Sequence, residues 1–395
     1  MMKTIRCLSL VVAVGLCLAA FVSDAQAIPA FARKHNLSCA TCHVAMPYLN
    51  STGRAFKEAG YRMPDEDGIV DPEAQPNKKL SDRLVFDKNF PVAARIKGYI
   101  YDKKKDSKKQ IRPLHEVSIL SGGNFWDTGS WFIELEGEDE EDFATSIHGT
   151  FGWHPSRAAN IRAGIGSILH VDPYNSLQDG MRLTAANKRA LSIGTEEDAS
   201  LRGAAQFINF YGRKGKFFYM AGYSAGNNNP EGNNPQDILG RVAYDFTPDK
   251  MVGGFYFDGT HTVGTTDPMD VDIKRYGIDW NLAFGDLYLD GMWMKSETDY
   301  GPVLLKANGT QTNTAGFAEF FYTSKRGGSP FFVPLIRYDW TELNDGADQY
   351  ATITGQLGFY VIENAKLAFE YSKDTEVAYG QAKADRVTVL ADIAF

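Results

Sequence analysis

Asp385-Arg-Val-Thr-Val-Leu-Ala-Asp-Ile-Ala-Phe395 is the stretch whose reading decides the fold. In an extended strand, successive side chains point to opposite faces. Val387, Val389, Ala391, Ile393 and Phe395 therefore share one face, and Arg386, Thr388 and Asp392 share the other. Working back along the chain, apolar residues alternate with polar or small ones over residues 90–101, 114–122, 129–137, 143–153 and 158–168. The pattern continues over 203–212, 216–226, 238–246, 251–260, 272–284 and 286–296, then over 311–323, 331–341, 349–360 and 365–373. Phe255-Tyr-Phe257 and Phe369-Glu-Tyr371 show the alternating outward aromatics well. No comparable helical period runs through this region. Strand segments of about ten residues with this alternation predict an all-β fold, a transmembrane barrel of about 16 strands over residues 85–395.

The connections support a membrane setting. Long polar ones (102–113, 169–202, 227–237, 261–271, 297–310) alternate with short ones (154–157, 213–215, 247–250, Gly285, 361–364). Outer-membrane barrels have short periplasmic turns and longer external loops. A soluble sandwich has no reason to keep that order. The terminal Phe395 completes the outward face of the last strand and resembles the recognition signal of outer-membrane barrel proteins. No apolar run outside the first residues is long enough for a membrane-spanning helix. Localisation in the bacterial outer membrane, in contact with its lipid, is expected.

The N-terminal part reads differently. Lys3 and Arg6, an apolar run over residues 8–22, and Ala25-Gln-Ala27 form a secretory signal over residues 1–27. Its loss takes the formal charge from −8 to −9, since Lys3 and Arg6 leave with Asp24. So acidic a chain does not suit nucleic acid. Cys7 and Cys17 also leave, so the mature chain keeps only Cys39 and Cys42.

These two cysteines lie in Cys39-Ala-Thr-Cys42-His43, the spacing of covalent haem attachment. Two thiols so spaced reach both vinyl groups of one porphyrin, and the following imidazole binds its iron. A zinc site lacks further cysteines, and a thioredoxin-like pair lacks a βαβ setting. One covalent haem c is expected, with His43 as proximal ligand, in a small α-helical module over residues 28–64. Asn50 or Ser51 caps a helix that Gly60 ends, and Leu49, Phe56 and Tyr61 offer apolar contacts. On the distal side Met63 is the first choice, then His35, a barrel residue or an open position; Met46 is too near His43 to cross over. The basic residues Arg33, Lys34, Arg54, Lys57 and Arg62 read as a solvated face and as partners of the haem propionates. Residues 65–84 form a polar linker. A module of fewer than about forty residues cannot bury a porphyrin alone, so it is expected on the periplasmic side of the barrel or within its lumen.

Ala30-Phe-Ala-Arg33, the Cys39–His43 motif, and Leu49-Asn-x-x-Gly53-Arg-x-Phe56-Lys-x-x-Gly60-Tyr61 together resemble the fused monohaem cytochrome–porins, the outer-membrane iron oxidases of iron-oxidising bacteria. The resemblance implies electron transfer from extracellular Fe(II), through the haem, to periplasmic cytochromes. Two other functions fit the same sequence: a transport porin with a haem plug or redox gate, and electron transfer directed outward. The acidic turn 138–142 reads as an outer solvated loop or lipopolysaccharide-linked metal contact that could also gather Fe(II). The basic loop 103–109 reads as an external lipopolysaccharide contact, and the scattered His115, His148, His154, His170 and His261 show no metal-ligand spacing. No hydrolytic or phosphate-binding motif stands out.

Overall fold

Charge faces inward in this protein and apolar side chains face outward. The computed structural model describes residues 30–35, 37–63, 91–104, 110–139, 144–192, 201, 203–225, 236–263, 269–299, 310–343, 345–378 and 380–394. The signal, the linker, Phe395 and most of the long loops lie outside the described residues.

Two short helices, α1 (Ala30–His35) and α2 (Ser51–Glu58), flank a small hairpin of β1 (His43–Ala45) and β2 (Tyr48–Leu49). The barrel follows. Its strands are β3 (Val92–Lys104), β4 (Gln110–Phe125), β5 (Gly129–Glu138), β6 (Ala144–Ser156), β7 (Ala159–Gly166), β8 (Ala205–Lys214), β9 (Phe217–Ser224) and β10 (Asp237–Thr247). Then come β11 (Lys250–Val263), β12 (Met269–Phe284), β13 (Leu287–Asp299), β14 (Thr310–Tyr322), β15 (Ser324–Arg326), β16 (Ser329–Leu343), β17 (Asp348–Ile362), β18 (Ala365–Glu376) and β19 (Asp385–Ala394). Each pairs antiparallel with its neighbours in sequence, and β19 closes on β3 with Ile393 opposite Ile96. β14 and β15 are two pieces of one stave interrupted at Thr323, so the barrel has sixteen staves. The expected fold is the observed one.

The period-two pattern has a physical cause in the two media. On β10, Ile238 and Val242 are exposed, while Asp237, Leu239 and Arg241 between and beside them are buried. Ile278, Ile336, Leu357, Val387 and Ile393 face outward in the same way. Arg275, Asp279, Asp290, Glu319, Arg337 and Asp392 face the lumen and are nearly inaccessible. An apolar outer band with a polar interior suits a barrel in lipid.

Part of the lumen is filled, and a cavity lined by Arg95, Lys97, Glu116, Arg182, Lys366 and Arg386 remains beside the filling. Residues 169–202 were expected as an external loop. Instead, residues 167–192 turn inward from the end of β7 and are packed inside the barrel. Leu169, Asp172, Asn175, Ser176, Leu183 and Lys188 are all at or near zero exposure. Irregular backbone at membrane depth is tolerated only where its polar groups find partners, and here the inward charges are those partners. Lys188 Nζ donates to Asn175 O at 2.6 Å and lies 3.4 Å from Asp290 Oδ2. Glu370 accepts the backbone N–H groups of Ala185 and Ala186 at 2.7 and 2.9 Å. Arg337 donates to Thr184 Oγ1 at 2.6 Å and to the carbonyls of Ala186 and Asn187. Arg241 lies 2.7 Å from Asp172 and donates to Asp279 at 2.6 Å.

Arg241→Ala should therefore strand two buried carboxylates and cost about 3–5 kcal/mol, read as an earlier heat-induced shift in gel mobility of the folded barrel. Ile238→Val on the outer face should move that transition little. Topology is tested separately. An epitope inserted at Gly346, at the long-loop end, should be reached by antibody on intact cells, and one at Gly215, in a short turn, only after permeabilisation. Labelling of both on intact cells would overturn the assignment of the short turns to the periplasm.

Candidate functional site

Ser38 starts the turn that carries the motif. Its hydroxyl accepts from Ala40 N at 3.1 Å, and the i→i+3 bonds Thr41 N to Ser38 O and Cys42 N to Cys39 O follow. Residues Cys39–Thr41 are thereby wound into a 3₁₀ turn. Side chains three apart eclipse one another in that geometry, so Cys39 and Cys42 project from one face. Both thiols are unbridged and half-buried. Burial, then the nearby Glu363 carboxylate, pushes the Cys39 thiol up to about 11, and burial raises that of Cys42. A redox C-x-x-C lowers a thiol pKa to make it nucleophilic, and this turn does the opposite.

His43 completes the set. Its Nδ1–H donates to Pro47 O at 3.0 Å, which leaves Nε2 as the free lone pair. Burial holds its pKa below the ordinary value, so the ring is neutral. Two thiols on one face and an adjacent neutral imidazole with a fixed tautomer are the donor set that covalent haem requires. The residues present fit the group.

The surrounding sequence builds a knot around this turn. Asn50 caps α2 by accepting from Gly53 N at 3.0 Å, and its amide donates back to the carbonyls of Ala40 and Thr41 at 3.1 and 3.0 Å. The Cys42 carbonyl accepts from Asn50 N. A Cβ on Gly53 would sit 2.1 Å from that same carbonyl, so only glycine lets α2 lie against the motif. At the other end, Gly60 has φ +68°, and the bonds Tyr61 N to Phe56 O and Gly60 N to Lys57 O form a Schellman motif. Both helix ends are as expected.

Phe31, Phe56 and Tyr61 form an aromatic cluster, with Phe31 stacked on Tyr61 at 5.1 Å and edge-on to Phe56 at 5.2 Å. Tyr61 continues onto Phe132 of β5 at 5.7 Å, and Arg162 lies over its ring. Leu49 is tied to the inward segment, its N–H and C=O both bonded to the Asn175 side chain.

The structure brings Cys39, Cys42 and His43 together. Met63 and His35 border the aromatic cluster instead. His35 packs edge-on to Phe56 at 5.8 Å, and Met63 is half-buried two residues past Tyr61. Arg62, just before Met63, donates to Gly129 O in the β4–β5 turn. Cys39 N donates to Glu363 in the β17–β18 turn, and β18, β19, β3 and β4 stand between the two turns around the ring. Met46 is buried in the β1–β2 turn, and its carbonyl accepts from Tyr360 OH at 2.8 Å.

The module lies inside the barrel at the short-turn end, held on every side. Glu58 pairs with Arg213 (2.9 and 2.8 Å), Tyr48 OH accepts from Asn281, and Asn124 bonds Gly60 O. Arg54, Lys57 and Arg62 are not part of the solvated face that composition suggested. Arg54 reaches Pro248 O, Arg62 reaches Gly129 O, and Lys57 reaches Asp172 O at 2.8 Å, with its pKa lowered by burial to about 8. Arg54 and Arg62 are tethers to the wall and Lys57 is a tether to the inward segment. The wall residues Glu363, Asn281, Tyr360 and Arg213 and the inward-segment Asn175 were not singled out from the sequence. Period-two alternation says which side a residue faces but not what it meets.

No family model matches the chain, and no curated protein does. Solved structures match the barrel. The loop L8 deletion mutant of OmpT, an outer-membrane protein of Vibrio cholerae, aligns over 77% of this chain and 98% of its own at TM-score 0.57 and 12% identity. An anion-selective porin from Comamonas acidovorans gives 0.56 and 13% over 77% of this chain and 98% of its own. Salmonella typhi OmpF in complex with daunomycin gives 0.57 and 12% over 77% and 97%. At such identities the likeness concerns the fold. The chain has the porin-like β-barrel of outer-membrane proteins.

Proposed function

We propose that this protein is an outer-membrane electron carrier in which one covalent haem is lodged in a plugged porin barrel. It oxidises extracellular Fe(II) and passes the electrons to periplasmic cytochromes. The observation that carries this reading is the attachment turn itself, with two thiols on one face and His43 fixed beside them, pinned within a lumen that the module and residues 167–192 occupy. When bound, haem supplies a one-electron iron couple whose potential depends on the distal ligand. Cys39 and Cys42 would hold its periphery and His43 Nε2 its iron, and Met63 is the residue proposed as the second ligand. The tethers of Arg54, Lys57, Glu58 and Arg62 keep the module in place, and the inward segment narrows the rest of the lumen. Fe(II) gives up one electron in a transient outer-sphere contact, so no tight iron site is needed.

The competing reading, a transport porin with a haem plug or gate, differs in what crosses the barrel. A denaturing gel stained for haem should show one band at the mature mass, lost in Cys42→Ser. An unstained wild-type band from a host with working haem attachment would end the cytochrome reading. Stopped-flow mixing with Fe(II) near neutral pH should reduce the oxidised protein. Met63→Ala should lower the potential and slow that step, while Met46→Ala leaves both nearly unchanged. A haem that stays oxidised, together with liposomes that leak sugars freely, would leave the transport reading standing.

A further inference from the structure

Among the described residues, the barrel side chain bonded to Cys39 is a carboxylate. Glu363 sits in the β17–β18 turn, at the short-turn mouth. Its Oε2 accepts from the Ser38 hydroxyl at 2.6 Å and from Cys39 N at 2.8 Å. Its Oε1 accepts from the Ser329 hydroxyl, at the start of β16. Glu363 thus joins two neighbouring stretches of the rim to the first residue of the motif, more than three hundred positions away in sequence. Hydrogen bonds to an ionised acceptor are the strong ones, and two donors on one oxygen fix direction as well as distance. Within the module, Asn50 ties the motif only to its own helix.

We propose that Glu363 is the positioning residue by which the barrel sets the place of the haem-attachment turn. This rests on the haem reading above for its function but not for its contact. Asn50 gives the turn its shape, and Glu363 gives it an address relative to the rim. A cofactor bonded to Cys39 is thereby kept at a constant distance from whatever docks at the periplasmic mouth. Covalent attachment needs only the thiols and His43, so losing Glu363 should leave the haem attached but less well placed.

The test uses the full chain in two forms. In haem-free protein folded in detergent, the rate of maleimide alkylation at Cys39 and Cys42 reads how often the turn leaves the wall. Glu363→Ala should raise it about tenfold, the factor that about 1.4 kcal/mol carries at the low end for hydrogen bonds to a charged group. Glu363→Gln removes the charge that raises the Cys39 thiol but keeps an oxygen that accepts from Ser38 and Cys39. Its rate should therefore rise clearly less than that of Glu363→Ala, and equal rates in the two variants would overturn the clamp. In loaded protein, Glu363→Ala should keep the haem stain while its reduction potential moves, and Glu363→Gln should move it less. Barrel assembly is checked by heat-shifted gel mobility. If Glu363→Ala does not assemble, Ser329→Ala decides: faster alkylation supports the clamp, and an unchanged rate overturns it. An unchanged alkylation rate in an assembled Glu363→Ala protein overturns it equally. A wild type without haem would end the haem reading while the thiol rates still decide the clamp.

Discussion

The need to satisfy backbone polar groups at membrane depth governs this structure. The outer wall meets the need by closing on itself, because a sheet with no free edge leaves no N–H or C=O facing lipid. The interior meets it differently. Residues 167–192 have little regular structure and run through the lumen, so their amides and carbonyls need partners that the segment does not supply. Glu370 and Arg337 provide them on one part of the wall, and Asn281, Lys366 and Asp339 on others, while Arg241, Asp279 and Asp290 hold the segment's polar side chains. Burying so many charges costs free energy that pairing only partly returns. The gain is a defined path: each carboxylate or guanidinium fixes one point of the segment, and together they leave it one course through the barrel.

The same wall completes a domain too small to stand alone. A module of this length has too little apolar surface to offset its ordering entropy. Its hairpin shares a core with residues of the barrel and the inward segment: Val44, Met46 and Tyr48 pack with Leu183, Phe321, Val333 and Tyr360. Its aromatic cluster leans on Phe132. Module and barrel therefore form one cooperative interior. The attachment turn sits where three sources of constraint meet: its own helix through Asn50, the inward segment through Asn175, and the rim through Glu363.

The strands of the wall were legible in the sequence, because lipid on one side imposes apolar residues at alternate positions. Facing was read less well, since Phe255 and Phe257, read as outward aromatics, pack into an apolar cluster on the inner face. The segment read over 238–246 is Asp237–Thr247, and that over 365–373 is Ala365–Glu376. Asn50 and Gly60 were legible because cap chemistry is local. The lumen filling was not. Asp172, Asn175, Ser176 and Lys188 look the same in a sequence whether they face water or a polar interior, so a long polar stretch between strands reads as an external loop. The basic residues of the module misled for the same reason. A cation that donates to a buried carbonyl and one that faces solvent have the same letter, and only the fold brings Pro248, Gly129 and Asp172 to Arg54, Arg62 and Lys57.

A sixteen-stranded barrel leaves an aqueous channel unless something occupies it, and a channel selects solutes with charges that are free to face them. Here several of the largest interior charges already have protein partners. Arg213 is held by Glu58 and Asp245, Arg241 by Asp172 and Asp279, Arg337 by Asp339 and Thr184, and Arg95 by Asp392. Charges engaged in this way contribute little to attracting or repelling a passing ion. They are well suited to holding the Cys39–His43 turn and the inward segment still against the wall, while Lys97, Arg182 and Arg386 still line a cavity left between that segment and the wall.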